Sequence, residues 1–202
     1  SEGSVEKMAQ KIKKDKPMFV IGGMSGSSFS KLRNLQRFSE VDDKKDKAYL
    51  QSVIQHYITQ VGEGRLFLHV DPVGSAAWRT NEMQLLRKSP GVKTVEIDVC
   101  MFAGNKVVSN KGPMRFITNS SIVERNLMKT ESPLCTFVAP WSGGRTQGRT
   151  VGLKCDKQHD HRGGGGGGET QREYPDALLK AICRSILKEK LQRQMKLRAV
   201  ME

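Results

Sequence analysis

Apolar residues recur along the chain at two spacings, one helical and one alternating, and the two take turns. In residues 5–14, Val5, Met8 and Ile12 fall roughly on one face of a stretch with helix-forming composition. Pro17 stops that helix, and Met18-Phe19-Val20-Ile21 reads as a short buried strand running into Gly22-Gly23. A loop of small residues, 22–30, follows. Residues 44–61 form the clearest amphipathic helix, with Tyr49, Val53, Ile54, Tyr57, Ile58 and Val61 at three-and-four spacing and Gly62 and Gly64 at its end. Residues 65–70 (RLFLHV) predict a second strand, ended by Asp71-Pro72. Residues 78–88 predict a helix with Met83, Leu85 and Leu86 toward the core and Pro90-Gly91 as its stop.

The alternation then resumes. Residues 92–99 read as a third strand, a loop spans 104–112, and residues 114–118 read as a fourth strand. Asn119-Ser120 can cap a short helix over 122–129. Residues 131–172 have no clear period and hold two glycine patches, Gly143-Gly144 and Gly163 through Gly168, which is linker or insertion chemistry. Tyr174-Pro175-Asp176 opens a last helix reaching about Val200, with Leu178, Leu179, Ile182, Ile186, Leu187 and Leu191 as its expected buried stripe. Strands and helices in this rhythm predict an α/β fold: a mainly parallel sheet with flanking helices. The expected organisation is one domain over 1–202 with a flexible Gly-rich loop at 142–172.

Composition narrows the class. Hydrophobic residues make up 37% of the 202 positions and 20 glycines add to them, which suits a globular chain and excludes wholesale disorder. No run approaches the roughly 20 apolar residues of a membrane span, and the first residues lack the apolar stretch of a secretory signal, so an intracellular location is expected. Cys100, Cys135, Cys155 and Cys183 are scattered, with no CxxC, which fits buried thiols or metal ligands better than disulfides. Thirty-four Lys and Arg against 21 Asp and Glu leave a net charge of +13. An excess of that size suits nucleic acid, an acidic partner or an anionic surface, and it also serves plain solubility.

Four places carry candidate chemistry. The loop Gly22-Gly23-Met24-Ser25-Gly26 follows the first strand, where ligands of parallel sheets bind, but it matches no phosphate-binding fingerprint and no nucleophile elbow. His69 and Asp71 at the end of the second strand are either an acid–base pair or a strand end with a capping Asp. Cys155, His159 and His161 have spacings that suit zinc, with Cys135 as the expected fourth ligand and Cys183 as the other candidate; the competing reading is a solvated turn. Lys106, Lys111, Arg115, Arg145, Arg149, Lys154 and Arg162 are interleaved with Phe116 and Trp141, a set that either holds phosphates and stacks on bases or is a solvated face.

Taken in order, KPMFVIGGMSGSSFSKLRNLQ, GRLFLHVDPVGSAAW, SPGVKTVEIDVCMFA, KGPMRFITNSS, CDKQHDH and EYPDALLKAIC resemble one family. That family is the methyltransferase-like domain of copia-type retroelement polyproteins, notably of dinoflagellates, itself similar to cytosine-5 DNA methyltransferases. The resemblance implies a partial Rossmann-like methyltransferase sheet. In that family the first loop reads Ser-Pro-x-Cys, whose Cys resembles the cytosine-5 nucleophile; Gly23, Met24, Ser25 and Gly26 stand there instead. Val70 stands where the family carries a Glu similar to the one that protonates cytosine N3. Cys100, Phe102, Pro113 and Arg115 keep the later pattern.

The family's earlier strands, with the loop that holds S-adenosylmethionine, have no counterpart in this sequence. Cytosine-5 methylation needs a thiolate to attack C6 and a cofactor held in line with C5. The expectation is therefore a truncated, catalytically degenerate fragment with no cofactor of its own beyond a structural zinc. It would serve as a basic binding or scaffold subunit whose partners are nucleic acid or a larger assembly. The alternative is a methyltransferase half acting on nucleic acid, completed by a partner chain that supplies the S-adenosylmethionine site.

Overall fold

Each alternating apolar run becomes a strand, and the amphipathic segments lie as helices on both faces of the sheet. The computed structural model describes residues 2–23, 40–102, 113–129, 150–153 and 174–201. In chain order the elements are α1 (Glu2–Asp15), β1 (Phe19–Gly23), α2 (Glu40–Gly62), β2 (Leu66–Pro72), α3 (Asn81–Lys88), β3 (Lys93–Asp98), β4 (Pro113–Thr118), α4 (Ser121–Leu127), β5 (Thr150–Leu153) and α5 (Asp176–Met201). Single turns of 3-10 helix, Ala76–Arg79 and Val99–Phe102, follow β2 and β3.

The sheet order is β1-β2-β4-β3-β5. β1 runs parallel to β2, from Phe19 opposite Leu66 to Gly23 opposite Val70, and β3 runs parallel to β5. β4 lies antiparallel to both β2 and β3. The sheet is therefore mixed rather than mainly parallel in its pairing. A parallel return needs a crossover of a dozen or more residues, usually a helix. No helical period stands between β3 and β4, so β4 turns back beside β3 and inserts next to β2.

Two cores flank the sheet. On one face Leu68, Val95, Ile97, Met114 and Phe116 pack against Val123 and Leu127 of α4, Leu178 of α5 and the turn Val99–Phe102. On the other, Phe67 and Ile117 pack against Leu50, Val53, Ile54 and Tyr57 of α2, Trp78, and Met83 and Leu86 of α3.

Three expected helices need correction. The one expected over 78–88 breaks at Thr80, whose extended backbone and side chain, accepting from the Met83 N–H, start α3. Leu85 is 66% exposed instead of buried, because two residues on from Met83 is about 200° round the helix. Ile58 in α2 is likewise exposed. In α5 only Leu178 and Ser185 are buried, while Leu179, Leu187 and Leu191 of the expected stripe are exposed. Leu178, with Ala181 and Ile182 packed against the core, and a row of polar contacts fix that rotation. Asn126 Nδ2 donates to Ser185 Oγ at 2.9 Å, Ser120 Oγ donates to Glu189 at 2.5 Å, and Arg193 donates to the Gly64 carbonyl at 2.9 Å. The row Ala181, Ser185, Glu189 and Arg193 thus faces the body of the protein.

Candidate functional site

The carboxyl end of β2 is where the described part of the candidate chemistry gathers. Strand alternation sends Phe67, His69 and Asp71 toward α2 and α3, and Leu68 and Val70 toward the opposite face. His69 is fully buried, and its Nδ1 lies 3.2 Å from the Tyr57 hydroxyl of α2. Either the phenol donates to a bare Nδ1 or Nδ1–H donates to the phenol oxygen, and the tautomer decides which. His69 Nε2 is buried without a hydrogen-bond partner. Around the imidazole stand Trp78, edge-on at 5.4 Å, and Tyr57, whose ring also stacks on Phe67 at 4.6 Å.

Burial governs the protonation of this pair. It pushes the His69 pKa down to about 4, so the imidazole is neutral at pH 7. Burial, with smaller contributions from Tyr49 and Asp71, raises the Tyr57 pKa and keeps its hydroxyl protonated. A neutral, sealed imidazole held by a phenol is a structural node joining α2 to β2. Without access to solvent it is not placed to exchange protons with an incoming substrate.

Beside it runs a charged cross-strand row. Asp71, Arg115 and Glu96 are register neighbours on β2, β4 and β3. Arg115 donates to Glu96 Oε1 through Nε at 2.7 Å and Nη2 at 2.6 Å, and its guanidinium lies 5.1 Å from the centre of the Trp78 ring. Trp78 is itself anchored, Nε1 donating to the Pro72 carbonyl at 2.7 Å. Arg87 of α3 completes the patch; burial first and Arg115 second lower its pKa, and Glu96 opposes them.

Gly23 and Val70 are the two described positions of the nucleophile and carboxylate pattern. They are register partners at the carboxyl ends of β1 and β2, both half-buried. A Cβ on Gly23 would stand 2.6 Å from the Val70 carbonyl oxygen, and one on Gly22 would overlap the Tyr57 hydroxyl. The strands therefore meet so closely that only glycine fits at the end of β1.

Arg115 is the described member of the expected nucleic-acid set, and its guanidinium is engaged by Glu96 and Trp78. Phe116 belongs to the core, which removes it from any stacking role on a base. Lys106, Lys111, Arg145, Arg149, Lys154 and Arg162, the zinc set Cys155, His159, His161 and Cys135, and Met24, Ser25 and Gly26 all lie outside the described residues. Among the described residues no three His, Cys, Asp or Glu side chains are grouped to hold a metal ion, and the Cys183 thiol is exposed on α5. No described helix is long and apolar enough to cross a membrane.

Sequence reasoning missed Tyr57, Trp78, Glu96 and Arg87. Tyr57 counted as one more apolar position of its helix. The available signal was in β2, where alternation puts His69 and Asp71 on the same buried face as Phe67 and so requires polar partners from whatever covers it. Compared with known proteins, the chain matches no family model, no curated protein and no solved structure.

Proposed function

We propose that the chain is a catalytically degenerate, methyltransferase-like module that works as a basic binding or scaffold subunit, with nucleic acid or a larger assembly as its partner. The observation that carries this reading is the Gly23–Val70 pair. Protonating a cytosine ring nitrogen needs a carboxylic acid facing the substrate. At that position stands an aliphatic side chain, and the neighbouring His69 and Asp71 point to the other face and are buried. The Val70 carbonyl also leaves no room for a Cβ at Gly23, the position of the Ser in the family's Ser-Pro-x-Cys loop.

Calorimetry with S-adenosylmethionine tests the reading, together with transfer of a labelled methyl group to DNA. The chain alone is expected to do neither, and the double variant Gly26→Cys, Val70→Glu is expected to stay inactive because holding the cofactor is a separate requirement. Micromolar cofactor binding by this chain overturns the reading. Methyl transfer that appears only with a copurifying chain favours the two-chain enzyme instead. A structural zinc on Cys155, His159, His161 and Cys135 belongs to the same proposal, resting on three ligand types within seven residues. Stoichiometric zinc in the purified chain, lost in Cys155→Ser, is the expected result.

A further inference from the structure

The final helix buries Leu178 and packs Ala181 and Ile182 against the core. Further along its inward row, Ser185, Glu189 and Arg193 are polar and held by hydrogen bonds to Asn126, Ser120 and Gly64. Its outward row, Leu179, Cys183, Leu187, Leu191 and Met195, is apolar and open to solvent; Leu187 is 56% and Met195 61% exposed. These five positions follow one another at intervals of four and so form a single continuous ridge along α5. Lys and Arg border it on both sides, Lys180, Arg184 and Lys188 on one flank and Lys190 and Arg198 on the other. The whole helix carries seven Lys or Arg against Asp176 and Glu189, and Glu189 is engaged by Ser120.

We propose that this ridge is a docking surface for an acidic amphipathic helix of a partner protein. The proposal rests on the reading of the chain as a binding module and names the chemistry of one partner. Charge complementarity selects the occupant. A second copy of the chain would lay basic flanks on basic flanks between molecules of net charge +13. A bilayer takes a broad apolar face anchored by bulky residues, whereas the row from Leu179 to Met195 is bordered on both sides by Lys and Arg and α5 contains no Phe, Trp or Tyr. Nucleic acid would use the basic flanks and leave the leucines in water. A helix that receives the ridge in its groove and brings Asp or Glu to both sides satisfies all of these groups at once.

The test uses the full chain and two synthetic helical peptides with the same leucine ridge, one flanked by Glu and one by Lys. The Glu-flanked peptide is expected to bind saturably and to weaken as salt is raised. Binding should fall about tenfold or more in Leu187→Asp with Leu191→Asp, and by a similar factor in Lys188→Glu with Lys190→Glu. These side chains are exposed, and an unchanged circular dichroism spectrum confirms that the variants fold. Equal binding of both peptides, or of parent and variants, overturns the proposal. So does absence of peptide binding when vesicles of phosphatidylserine and phosphatidylcholine capture the chain through Leu187, or when sedimentation shows a dimer that Leu187→Asp dissolves. Cofactor binding with the peptide result intact would overturn the degenerate-module reading and leave this surface standing; loss of the peptide result alone would do the reverse.

Discussion

Toward α4 and α5 the sheet presents Leu68, Val95, Ile97, Met114 and Phe116; toward α2 and α3 the same strands present Phe67 and Ile117 beside His69, Asp71, Glu96 and Arg115. The helices that cover them show the opposite bias. α2 and α3 meet the polar sheet face with Leu50, Val53, Ile54, Met83 and Leu86, while α5 lies over the apolar side with Ser185, Glu189 and Arg193 in its seam. Apolar area and polar pairing thus do different work. The aliphatic face supplies most of the stabilisation that burial gives. The polar contacts fix positions: Tyr57–His69 sets α2 on β2, Arg115–Glu96 sets β4 on β3, and Asn126–Ser185 sets α5 on α4.

The largest expected effect is on the aliphatic face. Phe116→Ala should destabilise by about 3–5 kcal/mol in urea denaturation, since a large buried ring leaves a cavity. A smaller loss there than for Tyr57→Phe on the polar face would break the comparison.

Protonation sharpens it next. The folded-state pKa of His69, about 4, lies below the ordinary value of 6.5, so the unfolded chain binds the proton first. The neutral imidazole is fully accommodated above about pH 6.5, and stability falls as pH drops from there toward 4. The difference amounts to roughly 3 kcal/mol over that window. Denaturation midpoints measured from pH 7 to pH 4 should show this slope, and His69→Phe should flatten most of it. His56, also lowered by burial, acts in the same direction.

The contact between β1 and α2 gives a smaller effect. Gly22→Ala should destabilise by about 1–3 kcal/mol through overlap with the Tyr57 hydroxyl, and adding Tyr57→Phe should recover part of that loss. Gly23→Ala should not be rescued by any side-chain change, because its obstacle is the Val70 carbonyl. The smallest pair lies on α5. Ser185→Ala should destabilise by about 1 kcal/mol by removing the acceptor for Asn126, whereas Leu187→Ala should change stability by less than about 0.5 kcal/mol.

Part of the candidate site was legible and part was not. That the end of β2 gathers His69 and Asp71 follows from the chain order of an apolar strand and Asp71-Pro72. That His69 is a neutral, buried partner of Tyr57 does not follow, since the two residues come from different elements and the helix pattern counts a tyrosine as apolar. Arg115 illustrates the same limit. Its charge adds to the basic total of the sequence, yet in the fold it is engaged by Glu96 and Trp78.

By itself the sequence determined the α/β class, the four main strands, the long helices α2 and α5 and the cap at Asn119-Ser120. These are local matters, governed by side-chain period and by which residues satisfy the first N–H groups of a helix. Only the tertiary structure decided the direction of β4, the pairing of Gly23 with Val70, and which row of α5 faces inward. Each depends on groups far apart in the chain. The direction of a strand depends on what connects it to the last one. The rotation of α5 follows Leu178 together with the contacts to Asn126, Ser120 and Gly64, while Leu179, Leu187 and Leu191 stay outside. A helix with apolar residues on more than one side has several ways to pack. Here Leu178 and the buried polar groups of the helix's neighbours, each requiring a partner, selected one of them.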